Sequence, residues 1–302
     1  MATTSPQQTE RSIDELTFHN DAVSLCLLAN RRHRAVRVID FRAGPTLAKR
    51  NFVISTAKRE SLEKVFVLVE RDEVNTWTRL GFRREGSIPS FYRRSDAWIM
   101  GAVVGRVGPM RPERAYDDDD DLPDDSNLAV ELADKVIDKA KRLAKEMTEK
   151  VIPATKIAPA KRAQLDKAIA QATKAGRALT GFELFSRDAE RHHWVVSGKG
   201  NFELFASYEI QPSFASSMME ILVAPREEAE CLLTVSAIKA VVAKLVEVGA
   251  VSTFSIAPAD DLMLSACFLA AGFRKSAVLA SHLEIAQKRH DAIVWSKKLQ
   301  DN

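Results

Sequence analysis

Histidines, cysteines and clustered arginines are the groups in this chain that could do chemistry, and their spacing narrows the choice at once. His192 and His193 stand beside Glu190, but adjacent residues of a strand point to opposite faces, so the two imidazoles cannot easily share one ion. His282 and His290 have no third ligand at a metal-binding spacing, and no metal is expected. Cys26, Cys231 and Cys267 are odd in number and sit among apolar residues, which reads as three buried thiols. Arg31, Arg32, His33 and Arg34 crowd one turn. They could form a charged hairpin tip or a phosphate contact; with no aromatic side chains interleaved, nucleic acid is not expected as a partner.

Those groups must be held by secondary structure, and the strongest organising signal is a stretch that occurs twice. Leu80-Gly81-Phe82-Arg83-Arg84 leads to Asp96-Ala97-Trp98-Ile99, and Ala271-Gly272-Phe273-Arg274-Lys275 leads to Asp291-Ala292-Ile293-Val294. Each reads as a helix that ends at glycine, which accepts the left-handed backbone found there, followed by two strands. Two copies of one supersecondary unit imply two related domains. The 302 residues, 46% hydrophobic and 28% charged, suffice for two cores. No run approaches the roughly 18 apolar residues of a spanning helix, and the polar start is unlike a signal peptide. The membrane is therefore not an expected partner, and the cytoplasm is the expected location.

In chain order, residues 1–15 lack periodicity and are expected to be flexible. A hairpin over 22–41, a helix over 46–62, an apolar strand over 64–70 and a short helix over 72–80 then lead into the first copy of the repeated stretch. Residues 1–116 hold 20 Lys+Arg against 13 Asp+Glu, a surplus of seven positive charges, before the acidic run Asp117 to Asp121. Such a run cannot fold on itself and reads as a solvated linker. Beyond it, an amphipathic helix over 127–150 and an alanine-rich one over 161–179 are expected to pack as a pair. Strands follow at 182–186, 193–197, 202–210 and 216–223, then a helix over 226–248, a strand over 251–256, a helix over 260–271 and a last hairpin.

This order resembles the GNAT acyl-CoA N-acyltransferase family, whose fold runs strand, two helices, three antiparallel strands, helix, strand, helix and two final strands. Residues 128–299 fit it if the helical pair takes the early helical positions. With Leu80-Gly81-Phe82, Glu85-Gly86-x-Ile88-Pro89-x-Phe91-Tyr92 and Asp96-Ala97, the first half is similar to the C-terminal part of small-amine members, including those that acetylate β-lysine. The resemblance implies an α/β (α+β) chain with two GNAT-like mixed-sheet domains in tandem. They would be arranged as a flexible N-terminus at 1–15, a truncated domain at 16–110, an acidic linker at 111–127, and a fuller domain at 128–302 that includes the helical pair.

The resemblance also implies acetyl-CoA as cofactor, with its pyrophosphate on the bare amides of a glycine-bearing loop and a helix N-terminus. In the first half that place is Arg42, Ala43, Gly44 and Thr46, with Lys49 and Arg50 one turn into the helix, although Pro45 removes an amide donor. In the second half it is 226–231, where three carboxylates and no glycine stand; like charges a few ångströms apart would repel the polyanion. Tyr92 and Asp96 lie where such a hairpin borders the substrate cleft and are the candidate substrate residues. The family's tyrosine, four residues before the glycine of Gly-Phe, protonates the departing thiolate. Trp77 and Phe268 stand there, and neither donates an acidic proton. The asparagine expected at the helix start is replaced by Glu70 and Asp261. No catalytic residue is therefore assigned.

Two functions stay open. One is a GNAT-like protein that has lost ordinary acetyl transfer and acts as a binding or assembly module. The other is an acyl-CoA-dependent N-acetyltransferase for a small amine or amino acid, with an atypical CoA loop. The expected partners are a second copy of the chain, added to the open edge of the truncated sheet as a homodimer, and a protein held through residues 117–179.

Overall fold

The computed structural model describes residues 13–19, 23–41, 44–107, 110, 125–187, 189–211 and 213–300. In β1 (Ile13–His19), Leu16 and Phe18 alternate with polar neighbours and pack onto the first core, and Phe18 stacks on Phe52 with ring centroids 4.1 Å apart. Residues 13–15 therefore belong to a strand, a correction to the flexible N-terminus expected through residue 15. β2 (Ser24–Asn30) and β3 (Ala35–Asp40) complete an antiparallel meander. There follow α1 (Leu47–Arg59), β4 (Lys64–Val69), α2 (Val74–Arg79), β5 (Arg83–Ile88) and β6 (Ala97–Val103).

The second half contains α3 (Asp125–Thr148), β7 (Lys156–Pro159), α4 (Arg162–Lys174), β8 (Glu190–Ser197), β9 (Glu203–Gln211) and β10 (Ser216–Ile221). After these come α5 (Glu228–Glu247), β11 (Ser252–Pro258), α6 (Leu262–Ala270), β12 (Arg274–Ile285) and β13 (Lys288–Lys298). From β8 onward the elements repeat β1 to β6 with α1 and α2, one for one. The pairing directions repeat too, including the single parallel contact, β3 with β4 and β10 with β11. Among the described residues β7, α3 and α4 have no counterpart in the first half.

Among the described residues thirteen strands form one sheet in the order β1-β2-β3-β4-β6-β5-β12-β13-β11-β10-β9-β8-β7. The halves meet at β5 and β12, where Gly86 pairs antiparallel with Ala277. Each of these residues stands five places after the glycine of its own Gly-Phe copy, so equivalent positions face each other. The relation is a pseudo-twofold with its axis normal to the sheet. Such an axis keeps equivalent faces together, and α1 and α2 accordingly lie on the same side as α5 and α6. β5 is paired with β12 of the same chain, and the outer strands among the described residues are β1 and β7.

Alternation along β9 fixes where the remaining helices go. Leu204, Ala206 and Tyr208 join the core under α3, α5 and α6, whereas Phe205 joins a separate cluster with Leu165 and Ala172 of α4. The two helices expected to pack as a pair thus lie on opposite faces of the sheet, with β7 between them in sequence. Residues 175–187 form no strand at 182–186; they cross the α4 face as an irregular segment, tied by Leu179 N to Leu222 O at 2.9 Å. On that face Phe66, Ile99, Phe254 and Val294 form one cluster spanning both halves. The acidic run 117–121 lies outside the described residues. Among the described residues no helix is long and apolar enough to cross a membrane.

Candidate functional site

The family's proton-donor position is a packing position in both halves. At the end of α2, Phe82 N donates to Trp77 O at 3.1 Å and Gly81 N to Thr78 O at 3.0 Å; at the end of α6, Phe273 N donates to Phe268 O and Gly272 N to Leu269 O, both at 2.9 Å. Gly81 and Gly272 carry φ of 87° and 85°. This is the Schellman arrangement, which is accompanied by an apolar contact between the residues joined by the longer bond. That contact is Trp77 against Phe82, centroids 4.9 Å apart, and Phe268 against Phe273 at 5.3 Å. Both rings are fully buried.

The two helix N-termini that could hold a pyrophosphate are differently furnished. Thr46 caps α1 by accepting from Lys49 N at 3.1 Å. Lys49 itself turns inward, is 1% exposed, and pairs with Asp40; Arg50 Nε donates to Leu80 O at 3.2 Å. Of the remaining residues proposed for this loop, Gly44 has φ 101° with open space on its Cα, and Arg42 and Ala43 lie outside the described residues. At α5, Glu230 folds back to accept from Arg226 N at 2.7 Å, and Glu228 pairs with Lys150. A carboxylate of the chain thus occupies an amide that an anion would use.

β10 and β11 pair only through Ser216–Met218 against Ser252–Phe254. The gap beyond, between Glu220 and Ile256 and floored by Leu264 and Phe268, measures about 10 Å³, roughly the space of one water.

Tyr92 packs edge-on against Phe91 and Phe214, centroids 5.1 and 5.2 Å away, and burial pushes its hydroxyl up to about 12. Asp96 is exposed and accepts from Ser90 N at 2.9 Å. Asp291 does the same for Ser281 N at 2.7 Å. Ser90 and Ser281 have φ of 56° and 48°, so in both copies the aspartate holds a left-handed serine. Tyr92 and Asp96 are not brought together with Lys49 and Arg50 by any hydrogen bond or ring contact described for them.

The densest chemistry lies elsewhere, on the α4 face where the halves meet. Arg191 bonds Glu220, Glu209 (2.7 Å), Ser207 Oγ (2.9 Å) and Glu183 O (2.6 Å). Burial raises Glu220 against the pull of Arg191. Glu183 accepts from Arg32 Nε at 2.8 Å; burial works to raise its pKa, but His33 and Arg32 prevail and hold it below the usual value. Arg37 Nη1 donates to Phe185 O at 2.6 Å and Ser186 Oγ at 2.9 Å. Nearby, Lys64 pairs with Glu85 at 2.5 Å and donates to Ala280 O at 2.9 Å, and burial raises Glu85. The sequence did carry a signal for this network: Glu209, Glu220 and Lys64 are charges within otherwise apolar strand patterns. Arg37 gave none, since alternation alone reads it as an outward-facing residue.

No family model and no curated protein matches the chain. Among solved structures, the ribosomal-protein-S18-alanine N-acetyltransferase from Escherichia coli is similar at 15% identity and a TM-score of 0.38, covering 49% of this chain and 96% of its own. Spermidine N-acetyltransferase from Vibrio cholerae, solved in complex with CoA and spermine, is similar at 12% identity and a TM-score of 0.40, covering 48% of this chain and 95% of its own. The element order defines the class: strand, helix, three antiparallel strands, helix, strand, helix, two strands from β7 to β13. The chain carries a GNAT fold within a mixed α/β sheet, with a second unit beside it, and an irregular segment stands in place of one early helix.

Proposed function

We propose that this chain is a tandem of GNAT-like units that no longer transfers acetyl groups from acetyl-CoA and serves as a binding module. The observation that carries this reading is the N-terminus of α5, where Glu230 accepts the Arg226 amide and places a negative charge where a pyrophosphate would lie. Two further features support it: Phe268 and Trp77 are core residues, and Lys49 is spent on Asp40. The second reading, an N-acetyltransferase for a small amine using acetyl-CoA on the first half, is favoured by one feature, the open Gly44 before the Thr46 cap. Of the proposed partners, a second copy has the outer edges of β1 and β7 to add to, and a protein partner has the exposed Leu128, Val130 and Leu132 of α3.

Calorimetric titration with acetyl-CoA separates the two. The binding-module reading expects no heat at millimolar ligand. Saturable binding, with a stabilisation of about 2.7 kcal/mol at a hundredfold excess over Kd, together with acetylation of an amine substrate, would sink it.

A further inference from the structure

On the α4 face, the two halves and the segment 179–187 enclose a cavity of about 60 Å³. At 10–15 Å³ per water that is room for about four to six waters, or a ligand with a similar number of heavy atoms. Its wall is largely apolar, with Phe66 and Met218 prominent, and both halves supply its polar groups: His33 and Arg37 from the first, Glu183, Glu220 and His282 from the second.

The hydrogen bonds there are unevenly shared. Glu183 is held by Arg32 Nε at 2.8 Å and Gly181 N at 3.0 Å, and Glu220 by Arg191 and by Thr180 Oγ1 at 2.8 Å. Arg37 differs. Its bonds run from Nη1 to a carbonyl and a hydroxyl, its guanidinium lies 4.3 Å over the Phe185 ring, and its Nε is buried without a partner. Among the described residues it belongs to no ion pair. The buried Glu209, shared with Arg191, acts on it from beyond contact distance, so what stays unmet is the hydrogen-bonding edge at Nε, and a buried donor without an acceptor is costly. His33 Nδ1 accepts from Glu284 N at 3.3 Å, which leaves Nε2 of the neutral ring as a donor. His282, 5% exposed, stands edge-on to Phe66, centroids 4.9 Å apart, and among the described residues its Nδ1 has no partner.

We propose that this cavity binds a small carboxylate, its oxygens on the Nε edge of Arg37 and its short apolar tail against Phe66 and Met218. The proposal deepens the binding-module reading by naming a ligand class. A planar carboxylate matches the guanidinium edge through two parallel N–H···O bonds. The predominantly apolar wall disfavours a multiply charged, strongly hydrated phosphate, and the volume limits the tail to about three carbons. An amine would meet carboxylates whose oxygens already accept from Arg32, Arg191, Thr180 and backbone amides, and a guanidinium that repels it. Because the groups come from both halves, the ligand binds only the assembled sheet and stabilises it.

The test titrates the full chain with sodium propionate, propylammonium chloride and sodium phosphate at matched ionic strength, following heat, thermal midpoint and the histidine ring signals by NMR. Propionate is expected to bind, raise the midpoint and shift the His33 and His282 signals. Arg37→Met is expected to weaken it at least tenfold, and Arg37→Lys to recover part of the loss. Should Arg37→Met not fold, Met218→Trp, which fills the cavity while keeping Arg37, must abolish the response. Preference for propylammonium or phosphate, unmoved imidazole signals, or undiminished binding in the variant that folds overturns the proposal. Acetyl-CoA run alongside separates the readings: silence to both ligands overturns the carboxylate site alone, whereas binding and turnover of acetyl-CoA with silence to propionate overturns both.

Discussion

The two helix–turn–strand units, 74–103 and 262–298, share a frame and differ where they touch. In each, an aromatic residue, Gly-Phe and an aspartate that grips a left-handed serine build the same turn. At the contact the symmetry fails: Glu85-Gly86 faces Ser276-Ala277. A Cβ on Gly86 would stand 2.3 Å from that of Ala277, and Gly86 has φ 140°. Glu85, with Lys64, fills a space kept by Gly101, whose own Cβ would stand 2.1 Å from Glu85 Oε2. Shared residues make the turn, and the differing residues make the junction, so two similar edges meet once within a chain without copying each other.

The comparison breaks most completely at Lys64. It is 0% exposed and its partner Glu85 is 5% exposed, with Oε2 unpartnered. Lys64→Met leaves a buried carboxylate without its cation and is expected to cost about 3–5 kcal/mol in urea unfolding. The double variant Lys64→Met/Glu85→Leu should recover most of the loss, because an apolar pair replaces an ionic one with little penalty. An equal loss in single and double variants would show that the pair does not act as a unit. Glu85 titrates with a definite sign. Burial raises its folded pKa, so the proton it retains stabilises the fold at low pH, and this contribution falls away as pH rises from the ordinary carboxylate value through the raised one.

Next in size is Gly86→Ala, expected to cost about 3 kcal/mol through backbone strain and overpacking. Its partner change, Ala277→Gly, should cost about 1 kcal/mol, as for glycine within a strand. Similar costs for the two would mean that the halves are interchangeable at the junction, contrary to their geometry.

A smaller effect distinguishes the halves by pH. Burial, with Lys64, His33 and Arg289 near it, holds His282 well below the usual imidazole range, and burial pushes His33 down to about 4. A histidine whose folded pKa is depressed destabilises the fold as pH drops below about 6.5, because the unfolded chain takes up the proton first. Each such ring is expected to cost roughly 1–2 kcal/mol by pH 5. His282→Gln should flatten the stability slope between pH 6.5 and 5 by up to about one proton. An unchanged slope would remove His282 from the account.

The repeat, the helix stops at Gly81 and Gly272 and the fold class were legible because glycine and periodicity act locally. β1 was missed because two apolar residues, Leu16 and Phe18, are too few to reveal a strand before their partners are known. The assignment of α3 and α4 to one pair failed for a related reason: amphipathicity says that a helix has a buried face and leaves open which side of the sheet it covers. At the candidate site the departures at Trp77, Phe268 and 226–231 could be read directly, since they concern what a residue cannot do. The cavity at the junction could not. Arg37, Glu183 and His282 are 146 and 99 residues apart in turn, and only the pairing of β5 with β12 brings their surroundings together.

The least costly change sharpens the contrast between the two helix N-termini. Thr46 caps α1 from its own side chain, whereas α5 is served by Glu230, which lies within the helix and reaches back to Arg226 N. Thr46→Ala removes a cap and should cost about 1 kcal/mol. Glu230→Gln keeps a side-chain acceptor but removes the charge that interacts with the helix dipole, and should cost about 0.5 kcal/mol, less at high salt. If negative charge is what bars a pyrophosphate from α5, then Glu230→Gln should give at most a trace of acetyl-CoA binding, since Glu227 and Glu228 remain at the same helix start. Full binding on this single change would place the barrier in one carboxylate and the rest of a working CoA site behind it.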